Sequence, residues 1–189
     1  MNRAALMGSL FAALLPMASF AEMSYSKIEV EYIDVELDSS FGGVDGDGFA
    51  VSGAYDMNGQ FFLLGEWQDQ SFDFGIDGTQ FELGAGLHHA MSSTVDFVGT
   101  LSYIDSEVEV SGFSASDDGL GLGAGIRARL GDSLEVDAGL KYVDFDDAGS
   151  DTGFSFGGRW YFTETMAFSL GLDTADNADA FRFGFRAEF

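Results

Sequence analysis

The chain has 189 residues and a formal net charge of −24, because 8 Lys and Arg residues stand against 32 Asp and Glu residues. This length suits one domain, and the acidity argues against a nucleic-acid partner, whose phosphates would be repelled. The absence of cysteine excludes disulfides and thiolate metal sites. The 20 Phe residues argue against a disordered acidic chain, which would contain few aromatic side chains.

The first 21 residues have the features of a secretory signal peptide. A single positive charge at Arg3 precedes an apolar run, and small residues at positions −3 and −1 favour cleavage after Ala21. A transmembrane anchor is the alternative, but the run is marginal for a span of about 20 residues and contains Pro16. We therefore expect residues 22–189 to form the folded domain, and any membrane location to depend on strands.

Apolar and polar residues alternate along most of this domain, which indicates β-strands. We predict ten strands, with eight as the alternative count. They cover roughly 27–37, 47–55, 60–69, 79–88, 94–105, 119–130, 134–145, 153–162, 166–173 and 180–189. In the first strand the apolar positions change parity, which predicts a β-bulge near Tyr32–Ile33.

The predicted connections are alternately short and long. They contain about 3–6 residues after the even-numbered strands and about 6–13 residues, rich in Asp, Gly and Ser, after the odd-numbered ones. Tight periplasmic turns and longer extracellular loops are typical of transmembrane barrels. We therefore predict an all-β, antiparallel, up-and-down transmembrane β-barrel with both chain termini on the periplasmic side.

Aromatic residues on the predicted outer face sort by height along the barrel. One group is expected near the periplasmic rim and another near the outer rim. The first comprises Tyr55, Phe61, Phe97, Trp160, Phe162 and Phe168, and the second comprises Trp67, Phe81, Tyr103, Tyr142 and Phe154. Two aromatic girdles that flank an apolar band are typical of a barrel in a bilayer, whereas a soluble sandwich has no reason to sort aromatics by height.

The last predicted strand carries Phe at alternate positions and ends on Phe. These residues are Phe181, Phe183, Phe185 and Phe189. With the segments 121–132 (GLGAGIRARLGD) and 159–172 (RWYFTETMAFSLGL), this strand resembles the small outer-membrane β-barrel proteins of Gram-negative bacteria, the outer membrane protein β-barrel domains similar to OmpA and OmpX. The resemblance implies a cell outer-membrane location, contact with lipid and lipopolysaccharide, and recognition of the C-terminal strand by the barrel-assembly machinery.

Charged residues on the inward parity form the candidate site. They are Lys27, Glu29, Glu31, Glu66, Glu82, Asp96, Arg127, Arg129, Glu135, Asp137, Lys141, Arg159, Arg182, Arg186 and Glu188. Barrel closure should bring Arg182 and Arg186 near Glu29 and Glu31. Because a barrel of about ten strands has little interior beyond side-chain volume, we predict a lumen filled by ion pairs and a structural or surface-interaction role. A narrow, porin-like channel for ions or small solutes is the alternative.

A third hypothesis is an enzyme that modifies outer-leaflet lipid. The only histidines, His88 and His89, fall at a predicted periplasmic turn, so we expect no enzymatic activity and no cofactor. Acidic clusters are predicted in the long loops, at 45–47, 69–73, 117–118 and 144–151. We interpret them as solvated, mutually repelling acids; weak binding of Ca²⁺ or Mg²⁺ that bridges to lipopolysaccharide phosphates is the alternative. We expect a monomer.

Overall fold

The computed structural model describes residues 23–37, 43–175 and 178–189, and they form one closed antiparallel barrel. Its strands are β1 (Lys27–Leu37), β2 (Val44–Asp56), β3 (Phe61–Phe72), β4 (Ile76–Ala90), β5 (Val95–Val110), β6 (Phe113–Arg129), β7 (Leu134–Phe145), β8 (Gly149–Tyr161), β9 (Met166–Thr174) and β10 (Ala178–Glu188). Each strand pairs with its neighbours in the chain, and β1 pairs with β10. The predicted ten-stranded, all-β barrel is confirmed.

The predicted signal peptide, residues 1–21, lies outside the described residues. No helix in the described part of the chain is long and apolar enough to span a membrane.

The end of the barrel where β1 begins and β10 ends is called the terminal end, and the opposite end is called the distal end. At the terminal end the connections 57–60, 91–94, 130–133 and 162–165 have four residues each, within the predicted range. Asp56 closes the first of them, because its carboxylate accepts hydrogen bonds from the backbone N–H groups of Asn58 (2.9 Å) and Gly59 (2.7 Å). Gly59 has a positive φ of 75°, which glycine adopts without steric cost.

The prediction of long distal loops is wrong for four of the five, because the strands continue further than expected. Only residues 73–75, 111–112, 146–148 and 175–177 connect these strands. In the β5–β6 hairpin, Ser111 and Gly112 both have positive φ (53° and 84°), the combination that a two-residue type I′ turn requires. Most acids predicted in loops therefore lie on strands: Asp45, Asp47, Asp69, Asp117, Asp118, Asp144 and Asp151.

The barrel wall reverses its polarity along its axis. Through the middle of the barrel the outward side chains are apolar, as at Leu101, which is 59 % exposed. Towards the distal end the outward positions become acidic and the inward ones apolar. In β1, Asp34 and Glu36 are exposed, whereas Ile33 and Val35 are buried inside. In the distal part of the barrel the apolar side chains are inside and the charged ones outside, as in a water-soluble protein. In the middle part the arrangement is the opposite.

This reversal explains why the predicted β-bulge near Tyr32–Ile33 is wrong. β1 pairs residue for residue with both β2 and β10 over its whole length, and no extra residue is inserted. The side chains keep alternating between the two faces; the face that is apolar changes. Ile33 and Val35 pack inside the barrel with Ala50, Phe72 and Ala180.

The aromatic residues predicted as girdles are all exposed on the outer face. They are Tyr55, Phe61, Trp67, Phe81, Phe97, Tyr103, Tyr142, Phe154, Trp160, Phe162 and Phe168, and the C-terminal Phe181, Phe183, Phe185 and Phe189 are exposed as well. Trp67 lies directly opposite Phe81 towards the distal end. Near the terminal end Trp160 stacks on Phe168 with ring centroids 5.9 Å apart, and Phe168 lies 4.6 Å from Phe185. A band of Leu, Val and Ile side chains separates the two rows.

Candidate functional site

All the cationic side chains of the described residues point into the barrel. They are Lys27, Arg127, Arg129, Lys141, Arg159, Arg182 and Arg186, and each lies within 4.0 Å of at least one carboxylate. The physical cause is the outer face: a cation that faces hydrocarbon at mid-depth costs about 2–4 kcal/mol, so selection places cations inside. The lumen therefore contains a dense array of ion pairs.

Glu135 in β7 is the centre of the array and has no exposed surface. Its two carboxylate oxygens accept hydrogen bonds from Arg127 Nε (2.8 Å) and Nη2 (2.9 Å), and from Arg186 Nη1 (3.1 Å). The hydroxyl oxygen of Tyr161 lies 3.3 Å from it, and Arg159 Nη1 lies at 3.8 Å. One buried carboxylate thus binds side chains from β6, β8 and β10.

One part of this array joins β1 and β10, the two strands that close the barrel. Arg186 in β10 donates from Nε (3.1 Å) and Nη2 (2.7 Å) to Glu29 in β1. Glu188 accepts from Arg127 Nη2 at 3.2 Å and from the Tyr161 hydroxyl at 2.5 Å. The proximity of Arg186 to Glu29, expected from the pairing of the first and last strands, is present. Lys27 Nζ also donates to Glu29, at 3.2 Å.

Arg129 contributes differently from the other arginines of the array. Its Nη2 lies 3.8 Å from Glu135, and its guanidinium lies 4.4 Å from the ring centroid of Tyr161. A guanidinium over an aromatic face is stabilised by the negative charge of the ring's π system.

Further ion pairs cross the lumen towards the distal end. Arg182 in β10 donates to Asp173 in the adjacent β9 at 2.6 Å and to Glu66 in β3 at 3.4 Å, and it lies 3.5 Å from Glu31. Lys141 in β7 donates to Glu82 in β4 at 2.6 Å. The contacts of Arg182 with Glu66 and of Lys141 with Glu82 link strands that are not neighbours in the wall. Arg159 also forms an ion pair with Asp137.

Two cavities remain in the lumen. The distal one has a volume of about 650 Å³ and the other, nearer the terminal end, about 340 Å³. Lys141, Glu82 and Arg159 line both of them, so the ion pairs form the waist between the two spaces.

The segment that precedes β1 fills the terminal mouth of the barrel. Tyr25 is buried, its hydroxyl donates to Asp96 at 2.9 Å, and its ring stacks on His88 with centroids 3.8 Å apart. Arg127 Nη1 donates to the carbonyl oxygen of Ser24 at 2.6 Å, which ties the segment to the ion-pair array. Asp96, predicted as part of a cation–carboxylate network, is thus bound by a tyrosine hydroxyl.

The prediction that His88 and His89 lie in a turn is wrong, because β4 continues to Ala90. As adjacent strand residues they face opposite sides. His88 points into the barrel, where its ring nitrogens lie 3.7 Å from Asp56 and 4.0 Å from Asp96, and His89 is exposed on the outside.

Sequence reasoning missed four members of the site: Tyr25, His88, Tyr161 and Asp173. Tyr161 and Asp173 lie on the inward parity of β8 and β9, so the alternation that located the arginines could have located them too. Tyr25 precedes the first strand, where parity carries no information. No group of three or more His, Asp or Glu side chains among the described residues is arranged to hold a metal ion, and weak binding of divalent cations by the acidic clusters stays an alternative hypothesis.

A closed ring of antiparallel strands with an apolar band outside, aromatic rows at its edges and charges inside defines a transmembrane β-barrel of the outer-membrane type. Residues 4–189 match the family described as the outer membrane protein beta-barrel domain, and the chain belongs to this family. The protein is accordingly located in the outer membrane.

Solved structures similar to this chain include three bacterial proteins at 11–17% identity. The β domain of the Bordetella autotransporter BrkA matches with a TM-score of 0.55 at 12% identity, over 87% of this chain and 99% of that one. The translocator domain of the autotransporter NalP from Neisseria meningitidis matches with a TM-score of 0.52 at 11% identity, over 89% and 90%. Ail, the attachment invasion locus protein of Yersinia pestis, matches with a TM-score of 0.46 at 17% identity, over 89% and 100%. No curated protein matches the sequence.

Proposed function

We propose that the protein is a closed, non-conducting outer-membrane barrel with a structural or surface-interaction role and no enzymatic activity. The observation that carries the proposal is the set of ion pairs that cross the lumen between non-adjacent strands. Lys141 joins β7 to Glu82 in β4, and Arg127 joins β6 to Glu188 in β10. Such bonds occupy the path that a solute would need.

Opening this lumen is energetically costly. Removal of one partner from a buried ion pair leaves an uncompensated charge, which costs about 3–5 kcal/mol. Glu135 and Arg186 are among the most deeply buried side chains of the described residues. At the terminal mouth, Tyr25 and Phe62 add an apolar closure, with their rings 5.2 Å apart.

A narrow channel for ions or small solutes is the second candidate. The two cavities favour it, because about 650 Å³ and 340 Å³ of space are divided only by the side chains at the waist. Displacement of the side chains that line both cavities, Lys141 and Glu82 among them, would join the two spaces.

Conductance in planar lipid bilayers distinguishes these two functions. We expect the refolded protein to give no stable conductance steps. A double variant, Tyr25→Ala with Lys141→Ser, removes a side chain at the terminal mouth and one at the waist, so we expect it to conduct. Stable, uniform steps from the unaltered protein would contradict the closed barrel and support the channel.

We further infer that the terminal end, with its short turns, faces the periplasm of a Gram-negative cell, as in barrels of this type. The outward acids of the distal part, such as Asp34 and Glu107, support this orientation, because they suit water or the phosphate region of lipopolysaccharide with bridging divalent cations. The cleaved signal peptide and the monomeric state remain predictions.

A further inference from the structure

The distal cavity, called here the distal chamber, has walls of two kinds. Ile33, Val35 and Phe72 give one side an apolar surface, continuous with the apolar cluster inside β1. Gln70 and Gln80 line the chamber from β3 and β4. Its volume of about 650 Å³ falls in the range of small-molecule binding sites. A chamber that is partly apolar and partly polar suits an amphipathic ligand.

The charged groups that line the chamber are unbalanced. The carboxylates are Glu29, Glu31, Glu66, Glu82, Asp137 and Asp173, and the cations are Lys27, Lys141, Arg159 and Arg182. Six acids against four bases leave a net charge of −2 around this space. The chamber therefore attracts cations and repels anions.

One carboxylate in this lining, Glu31, lacks a close cationic partner. Glu29 beside it already has three: Arg186 and Lys27 donate to its Oε2, and Arg159 Nε lies 3.7 Å from its buried Oε1. Glu31 is 9 % exposed, and Arg182 reaches it only at 3.5 Å, since the Nε of Arg182 is bound to Asp173 at 2.6 Å. A buried carboxylate oxygen without a donor is costly, so this lining has capacity for another N–H donor.

We propose that the distal chamber binds a small organic cation: a primary ammonium attached to a compact apolar body. The ammonium would donate to the carboxylate of Glu31. The apolar body would lie against Ile33, Val35 and Phe72, the apolar side of the chamber. Charge selects the cation over an acid of the same shape, and the apolar wall selects it over a bare metal ion. This inference is independent of whether the barrel conducts.

The test is a calorimetric titration of the full-length refolded protein in detergent micelles with 2-phenylethylammonium, with empty micelles as the blank. Two matched probes of similar shape are titrated in parallel: neutral 2-phenylethanol and anionic 3-phenylpropionate. We expect saturable binding of the ammonium, at least tenfold weaker binding of the alcohol, and none of the anion. Absence of saturable heat for the ammonium, or equal binding of the anion, would overturn the proposal.

A pair of variants in one strand locates the site. Glu31→Gln removes a charge from the chamber and is expected to weaken ammonium binding at least tenfold. Glu36→Gln removes the same charge from the outer face of β1, where the side chain is exposed, and should leave binding unchanged. Equal effects of the two substitutions would place the site elsewhere and refute the proposal.

If Glu31→Gln does not fold, a variant that fills the chamber tests whether the ammonium binds there. Ser106 lines the chamber from β5 and carries no charge. Ser106→Phe fills the space while every charge remains, so we expect loss of ammonium binding with the heat-modifiable migration of a folded barrel retained. Full binding by this variant would contradict the assignment of the chamber.

Discussion

Replacement of Glu135 by glutamine is expected to destabilise the barrel by about 3–5 kcal/mol, the cost of removing one partner from a buried ion pair. The side chain has no exposed surface and binds both Arg127 and Arg186. Glutamine keeps the shape but removes the negative charge, so these guanidiniums and the nearby Arg159 would repel one another without a shared counter-ion. Equilibrium unfolding by urea in lipid vesicles, followed by tryptophan fluorescence, measures the loss.

The matched control for this substitution is Glu164→Gln. Glu164 lies in the turn between β8 and β9, where it is exposed, and the change in charge is the same. We expect the free energy of unfolding to change by less than about 0.5 kcal/mol there, as for surface substitutions in general. If Glu135→Gln is as harmless as the control, Glu135 does not hold the lumen together.

Substitution of Leu101 by arginine tests the outer face and is expected to cost about 2–4 kcal/mol in a bilayer, the range for a cation at the midplane. Leu101 is exposed on the outside of β5, and its register partners are Ala85 and Leu122 in the middle of the apolar band. In water an exposed leucine replaced by arginine would change little. The size of the effect therefore reports whether hydrocarbon surrounds this position.

Glu107→Arg provides the comparison within the same strand. Glu107 lies on the same outward parity as Leu101 but beyond the aromatic row that contains Tyr103. Because the polarity of the wall has reversed there, we expect arginine to have little effect on the unfolding free energy. A similar loss at both positions would show that the lipid boundary is not where the reversal places it.

The strand number and the distribution of charges were predictable because every second residue of a membrane strand faces hydrocarbon, so apolar and polar residues alternate. The same alternation misled the prediction at residues 33–37. At these positions the apolar residues lie on the inner face, because lipid no longer surrounds this part of the strand. The change of parity that predicts a β-bulge is thus caused by a change of surroundings. Glu107-Val108-Glu109-Val110 was assigned to a loop for the same reason, although it continues β5.

The contacts inside the lumen were less predictable than the wall. The proximity of Arg186 to Glu29 follows from sequence, since β10 must pair with β1 to close the ring. The bond from Lys141 to Glu82 connects strands that are not adjacent, so it depends on the diameter and stagger of the barrel. The entry of Tyr25 into the terminal mouth depends on shape and hydrogen bonding, which alternation does not encode.

The central claim is that the outward side chains touch hydrocarbon through the middle of the barrel and water beyond the distal aromatic row, where the polarity of the wall reverses. Since the chain has no cysteine, single nitroxide labels can be attached at Leu101→Cys and Glu107→Cys without background. Power-saturation electron paramagnetic resonance in lipid vesicles then measures collisions of each label with oxygen and with a water-soluble nickel chelate. We expect the label at position 101 to collide with oxygen and to be shielded from nickel, and the label at position 107 to show the reverse. Equal access of nickel to both labels would contradict the claim.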